Sequence, residues 1–571
     1  MAKVPGVDGG RGAAGPAERS AAGVVLTTLA AGQFLMTLDT TVMNVSIATV
    51  AEDVGTSITG IQTAITAYTL VMASLMITGG KVGALLGRKR AFALGAIVYG
   101  AGSLTTALAP NLTVLLLGWS LLEGVGAALI MPTLVALVAS NFEPEGRPRA
   151  YGLVASAGAV AVAVGPLIGG VFTTYLSWRL VFAGEVLCVA VILVLSRRMA
   201  DTPGEHTSLD LVGTVLSAAG LGMVVLGVLK SGTWGVVQPS SGGPEWFGTS
   251  PVIWLLVGGV AVLYGFLRWQ QHLLDRGREP LVDPAMLRVP QLRAGLTAFF
   301  FQFLGQAGLF FVIPLYLSVA LGLSTIATGV RLLPLSITLL AAASLVPKLW
   351  PGASPRRVAR VGFGALFIAV FVLMVALDAG AGPEVVTVPL LLAGLGIGAL
   401  ASQLGAVTVS AVADERAGEV GGLQNTVTNL GASIGTALAG AVMISSLTTA
   451  FVGGVEQIPS VPPEIAQQAE VQLDAGVPFV SDDQLRAALD AAGVEGELAD
   501  EVVDVNTQAR LDGLRASLAV LALVALAPLF LSGELPDRPP TAPGGSTSET
   551  PRAEPEPARR PRRVARARSR T

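Results

Sequence analysis

Three acidic side chains sit where acids are costly. Asp39, Glu123 and Glu185 each fall inside a long apolar stretch. A charged side chain deep in a bilayer costs roughly 2.5–3.5 kcal/mol even on the gentler insertion scale. None of the three has a basic residue at helical spacing within its own stretch. Desolvation disfavours the charged form of a carboxylate, so groups of this kind can exchange protons or attract a cation. Both histidines, His206 and His272, fall in polar stretches, and Cys188 is the single cysteine. A proton carrier in the apolar part is therefore expected to be a carboxylate. Intramolecular disulfides and cysteine-based metal clusters are excluded.

Other residues share faces with these acids or stand at telling intervals. Met36, Asp39, Met43 and Ser46 fall on one helical face, a soft stripe that suits either packing or a tolerant site for bulky organic cations. Asn44 follows Asp39 in LDTTVMNVSI, and Gln302 and Gln306 stand at i, i+4 in a later stretch. The run AGAVAVAVGPLIGG places Gly158, Gly165, Pro166, Gly169 and Gly170 in one helix, and Gly431 and Gly435 recur at four-residue spacing. Small residues let helices approach closely, and a proline bends a helix; rocking bundles need both. The segment TGGKVGALLGRKR reads as a tight turn, with Gly80, Gly83 and Gly87 permitting it and Arg88, Lys89 and Arg90 pinning it to the cytoplasmic face.

The elements that must position these residues are membrane spans. Of 571 residues, 52% are hydrophobic and 13% charged, with a mean hydropathy of +0.67. This excludes a disordered chain and an ordinary soluble globule, in which about a quarter of residues are charged. A net charge of −3 argues against a nucleic-acid partner. With roughly 20 apolar residues needed per crossing, fourteen spans are expected, the first near 23–46 and the last near 516–533. If both termini are cytoplasmic, 30 of the 36 basic residues fall on the cytoplasmic side, as the positive-inside rule requires.

The fold class expected is all-α integral membrane: two six-helix bundles plus two extra linker helices. The divisions are a cytoplasmic N-terminal tail over 1–22, a first bundle over 23–198, two extra spans and a basic linker over 199–293, a second bundle over 294–533, and a tail over 534–571. A long external loop, 450–515, carries thirteen acids against three bases, and its stretch from Ser481 to Leu514 has helical apolar spacing that could cover the outer mouth. The Pro- and Arg-rich tail is expected to be disordered, with anionic lipid as a partner. Arg331 reads as an interfacial anchor.

These motifs resemble the major facilitator superfamily, specifically its fourteen-spanner drug:proton antiporters of the multidrug or quaternary-ammonium exporter type. LDTTVMNVSI is similar to that family's first-span motif, with Asp39 and Asn44 at its acid and amide. GGKVGALLGRKR resembles the loop motif G-x-L-x-D-x-x-G-R-[RK] at Gly80, Gly87, Arg88 and Lys89, and VGPLIGG matches the antiporter motif at Gly165, Pro166, Gly169 and Gly170. Four positions depart from the pattern. Ala84 stands at the loop motif's acid; Ser120 and Glu123 replace the arginine and glutamine of the fourth-span motif; Glu185 occupies a position that often carries asparagine. The resemblance implies a monomeric plasma-membrane exporter with no cofactor. A proton gradient would be its energy source, and Glu123 would be a candidate for the coupling role. The added acidity favours cationic or zwitterionic amphipathic substrates.

The leading expectation is proton-coupled antiport by alternating access, with the site between six-helix halves. A dedicated exporter of one metabolite, lipid or natural product is an alternative, and a non-transporting scaffold or receptor is another. An enzyme is not expected: no nucleophile–base constellation and no metal-ligand spacing occurs, and the G-x-x-x-x-G-K-[ST] phosphate loop is absent.

Overall fold

A computed structural model of the chain describes residues 16–142, 147–200, 209–240, 243–350, 352–378, 380–412, 417–458, 479–491 and 496–537, with Gly204 and Val494, and every apolar stretch read from the sequence is helical in it. The helices are α1 (Pro16–Asp53), α2 (Ile58–Leu86), α3 (Arg88–Ala107), α4 (Leu112–Leu115), which runs through a π-helical turn (Leu116–Glu123) into α5 (Gly124–Asn141), α6 (Arg147–Tyr175), α7 (Arg179–Ser196), α8 (Leu211–Trp234), α9 (Pro251–Asp275), α10 (Pro290–Leu315), α11 (Thr325–Leu349), α12 (Pro355–Ala376), α13 (Thr387–Val409), α14 (Ala417–Val455), α15 (Asp482–Ala491) and α16 (Glu497–Leu531). Helix starts are written in the sequence: Ser57, Asn111, Asp210, Ser250, Ser324 and Ser354 each accept a hydrogen bond from a first-turn N–H. Such caps satisfy donors that a helix start leaves orphaned.

Among the described residues, twelve helices are long and apolar enough to cross a membrane, and α6, bent by 43° between Ser156–Val162 and Val164–Tyr175, is a thirteenth. The bend has a cause. Pro166 has no N–H to give to the carbonyl four residues earlier, which belongs to Val162. That carbonyl accepts from Ser336 Oγ of α11 at 3.2 Å.

Helices α1 to α7 form one block and α10 to α14 with α16 a second. Hydrogen bonds between the blocks run from mid-helix toward the end that carries the 53–58 and 175–179 turns. Thr49 meets Thr325 at 3.2 Å, Ile326 N donates to Thr174, Gln62 donates to the Thr436 and Ala437 carbonyls, and Ser433 donates to Thr66 O. Glycine makes this contact tight: a Cβ on Gly170 would stand 2.7 Å from Ile326 Cα, and one on Gly329 would collide with the Pro166 carbonyl.

Helices α8 and α9 pack on each other and touch both blocks. Near one end Thr214 meets Thr78 of α2 at 3.1 Å. Near the other, Gly232 lies against the Ala441 backbone of α14. The loop after α9 is tied back through Gln270, which donates to Asp210 and accepts from Leu281 N, and through a Glu279–Lys81 ion pair.

Several boundaries differ from the sequence reading. Helix α1 begins at Pro16, inside the stretch taken as the 1–22 tail; residues 1–15 lie outside the described residues. The 450–515 stretch is not an external loop throughout, because α14 runs to Val455 and α16 starts at Glu497 and continues into the final apolar stretch. Residues 459–478 lie outside the described residues. Within the Ser481–Leu514 stretch, 482–491 and 497–514 are helical, as its apolar spacing suggests. Its apolar face, including Val502, Ala509 and Leu514, is buried, and it extends the last helix beside α14. Arg510, 1% exposed, fastens α15 to α16 through Asp482 at 2.5 Å and the Val480 carbonyl. The tail taken as disordered from Glu534 is held at its start by Arg293–Glu534 and Arg356–Asp537 pairs; residues 538–571 lie outside the described residues.

Candidate functional site

The three acids come from three different helices and meet. Asp39 of α1, Glu123 at the end of the π-helical turn and Glu185 of α7 are 0%, 0% and 2% exposed. One carboxylate oxygen from each lies within 4.8 Å of the other two. Each acid accepts a hydrogen bond at one oxygen and has no partner at the other. Asp39 Oδ1 accepts from Trp119 Nε1 at 2.8 Å, Glu123 Oε1 from Thr106 Oγ1 at 3.1 Å, and Glu185 Oε2 from Ser103 Oγ at 3.1 Å and Tyr99 OH at 3.4 Å. The free atoms are Asp39 Oδ2, Glu123 Oε2 and Glu185 Oε1.

Two devices place this cluster. The π-helical turn lengthens one winding of the fourth span, so Trp119 and Glu123 both enter the block, and such turns recur at functional sites. Trp119 is fixed by a parallel stack on Tyr68 of α2, with centroids 5.0 Å apart. Helix α3 supplies Tyr99, Ser103 and Thr106 from one face, and Gly102 of that helix admits Glu123 where a Cβ would come within 2.6 Å of its Cγ. The sequence reading missed these donors and both aromatic rings. Two signals could have found them: the Trp119–Glu123 spacing, and the i, i+4, i+7 row of hydroxyls on α3.

Chemically, three carboxyls without a base in a dry site must be neutralised by protons or by another cation. Arg179 does not serve them. It pairs with Asp53 at the end of α1, lies over the Trp178 ring at 4.5 Å, and donates to Ala109 O at 2.8 Å. Trp178 Nε1 also donates to Asp53, at 2.8 Å. These residues line a cavity of about 480 Å³ at the closed end.

The other candidates do not join the cluster. Met36 and Met43 are buried in the apolar core. Asn44 donates to Thr40 O of its own helix at 2.9 Å. Gln302 and Gln306 lie on α10 in the second block, where Gln302 is buried with an unpaired Oε1. The glycines of α6 divide between two neighbours: a Cβ on Gly165 or Gly169 would press on Thr41 or Val42 of α1, whereas Gly170 faces α11. At the turn between α2 and α3, Gly87 adopts φ +91°, a conformation open to glycine. A Cβ on Gly80 would make only ordinary contact with Pro132 at 3.6 Å. Arg88 donates to Ala136 O, and Lys89 to Arg197 O and Met199 O. Lys89 therefore caps the end of α7, and Arg88 ties the start of α3 to α5.

The family model of the Major Facilitator Superfamily matches residues 29–436. The chain belongs to the major facilitator superfamily. It is similar to the puromycin resistance protein of Streptomyces alboniger, 32% identical over 72% of this chain and 80% of that protein. It is also similar to the tetracenomycin C resistance and export protein of Streptomyces glaucescens, 27% identical over 88% of this chain and 89% of that one. A bacterial homologue of the human lysosomal transporter Spinster, solved in an inward-facing and unoccupied conformation, shares the fold with a TM-score of 0.60 at 15% identity, covering 93% of this chain and all of that one.

The position that departs most from the superfamily motif, Ser120, is buried and donates to Ala64 O of α2 at 2.8 Å. A neutral hydroxyl here stitches two helices, and the nearest ionisable group along the same turn is Glu123. This major facilitator protein is a multi-pass membrane protein of the transporter type, with no catalytic constellation among the described residues.

Proposed function

We propose that this chain is a secondary exporter that drives an amphipathic organic compound out of the cell by proton antiport and alternating access. The observation that carries the reading is the Asp39–Glu123–Glu185 cluster, which is buried, has unpaired oxygens and has no basic partner among the described residues. Its enclosure supports ion coupling as the acids' work and leaves substrate contact to the seam between the blocks. Cationic and zwitterionic compounds stay within the proposed range, although these acids do not touch them in this conformation. The names of the antibiotic resistance and export relatives support export over uptake. They also favour a second reading, a dedicated natural-product exporter. We take the chain as a fourteen-spanner of the quaternary-ammonium exporter type, with α3 as the fourteenth span. Both termini are then cytoplasmic, and the closed end faces outward. It works as a monomer in the plasma membrane.

The test is a reconstituted liposome with an imposed pH gradient. Lumenal pH is followed as lipophilic cations and polycyclic antibiotics are added, for wild type and Glu123→Gln. We expect substrate-driven proton movement in the wild type and at least a tenfold loss in the variant at equal abundance. Movement with a single compound class would select the dedicated exporter. No movement with any compound would overturn antiport.

A further inference from the structure

We infer that the Asp39–Glu123–Glu185 cluster is also a binding site for a small monovalent inorganic cation, Na⁺ by size, which enters as one carboxyl proton leaves. This deepens the reading of the cluster as the coupling centre and rests on it. The first observation is spacing. One oxygen of each acid has no hydrogen-bond donor within reach. One carboxylate oxygen of each also lies within 4.8 Å of the other two, a spacing that a single ion can bridge. A point equidistant from three atoms mutually within 4.8 Å lies at most about 2.8 Å from each (4.8 divided by √3). Oxygen ligands surround Ca²⁺, an ion close to Na⁺ in size, at about 2.3–2.6 Å, so small rotations of the carboxyls close the shell.

The second observation comes from a different helix. The hydroxyl of Tyr68, a residue 1% exposed, lies beside the Asp39 carboxyl without a hydrogen bond of good geometry. Its ring is held by the stack on Trp119. A fourth neutral oxygen is thus presented to the same space. Four free oxygens in a dry site fall short of the six to eight that Ca²⁺ takes, and Mg²⁺ keeps several waters in a strict octahedron, which this enclosure does not accommodate. Exchange for a single proton calls for a single positive charge, which a monovalent ion supplies. The charge balances: Na⁺ replaces one proton, and the remaining protons stay on the other carboxyls. The titratable groups acting on the site are Tyr68 from α2, Tyr99 from α3, Cys188 from α7 and the acids themselves. Among the described residues no basic side chain acts on these acids.

The experiment measures ²²Na⁺ binding to the purified full chain in nanodiscs, with ionic strength held by choline chloride. We expect saturable binding near one ion per chain at pH 8.5, and a half-saturating concentration that rises about tenfold per pH unit on acidification, as one-for-one exchange requires. Glu123→Gln and Glu185→Gln should abolish it. Tyr68→Phe, which keeps the stack, should weaken it several-fold. Absence of saturable binding in the wild type overturns the inference without recourse to any variant. Equal displacement by choline or K⁺ also overturns it, since that is an ionic-strength effect. Proton movement measured on the same preparation separates the two readings. If it persists without Na⁺ binding, antiport stands and this site falls. If Na⁺ binds without proton movement, this site stands and proton antiport falls.

Discussion

At Asp39 one hydrogen bond accounts for the side chain's orientation. Trp119 Nε1 is the donor that Asp39 accepts, and burial excludes water as a replacement. Trp119→Phe keeps the ring against Tyr68 but leaves Asp39 with two unpaired oxygens, a loss of about 1–3 kcal/mol. We expect a lower unfolding temperature for the purified protein. In an Asp39→Ala background, which removes the acceptor, the same change should cost less, and equal costs in the two backgrounds would show that the bond carries no energy of its own. The acids themselves were legible in the sequence, because a charge inside an apolar run is conspicuous. Their convergence was not. Three residues on spans one, four and six can share a point only if helix rotation and the π-helical turn cooperate, and neither is encoded in hydropathy. Periodicity also put Met43 on the acid's face without showing what that face meets, and in this structure Met43 lies in the apolar core and Asn44 bonds to its own helix.

Helix against helix, the glycines sort by what lies opposite. Cβ atoms at Gly431 and Gly435 of α14 would collide with the backbone of Phe300 and Leu304 in α10, whereas Gly421 on the same helix has nothing within 4 Å. Gly435→Ala should therefore destabilise the protein by about 1–3 kcal/mol through overpacking. Gly421→Ala should be neutral or gain about 0.5–1 kcal/mol from lower chain entropy. Thermal unfolding of both variants decides it, and equal effects would remove the close-approach argument. Four-residue glycine spacing was readable in advance, as was the bend at Pro166. The partner of that bend, Ser336, lies 170 positions further on, and nothing local points to it. The long final helix was missed because polar and acidic residues of 497–515 lower the hydropathy of a segment whose buried face is apolar.

Across the whole molecule, the two blocks are joined at one end, and transport requires that end to part. A Thr49→Cys/Thr325→Cys pair replaces two hydroxyls 3.2 Å apart, in a Cys188→Ser background because Cys188 is exposed. Oxidation should cross-link the blocks and remove at least nine-tenths of transport, with recovery on reduction. Full transport by fully cross-linked protein would show that this end does not open. The two-block architecture was the most legible feature of all, since the lengths and order of the apolar runs dictate it; the route taken by the α8–α9 pair was not. That route constrains how the halves can move. A rod fastened to one body at Thr78 and to the other at Ala441, near its opposite ends, behaves as a diagonal brace. It leaves the halves free to swivel about its long axis while opposing any slip of one past the other along it, so the permitted stroke is angular.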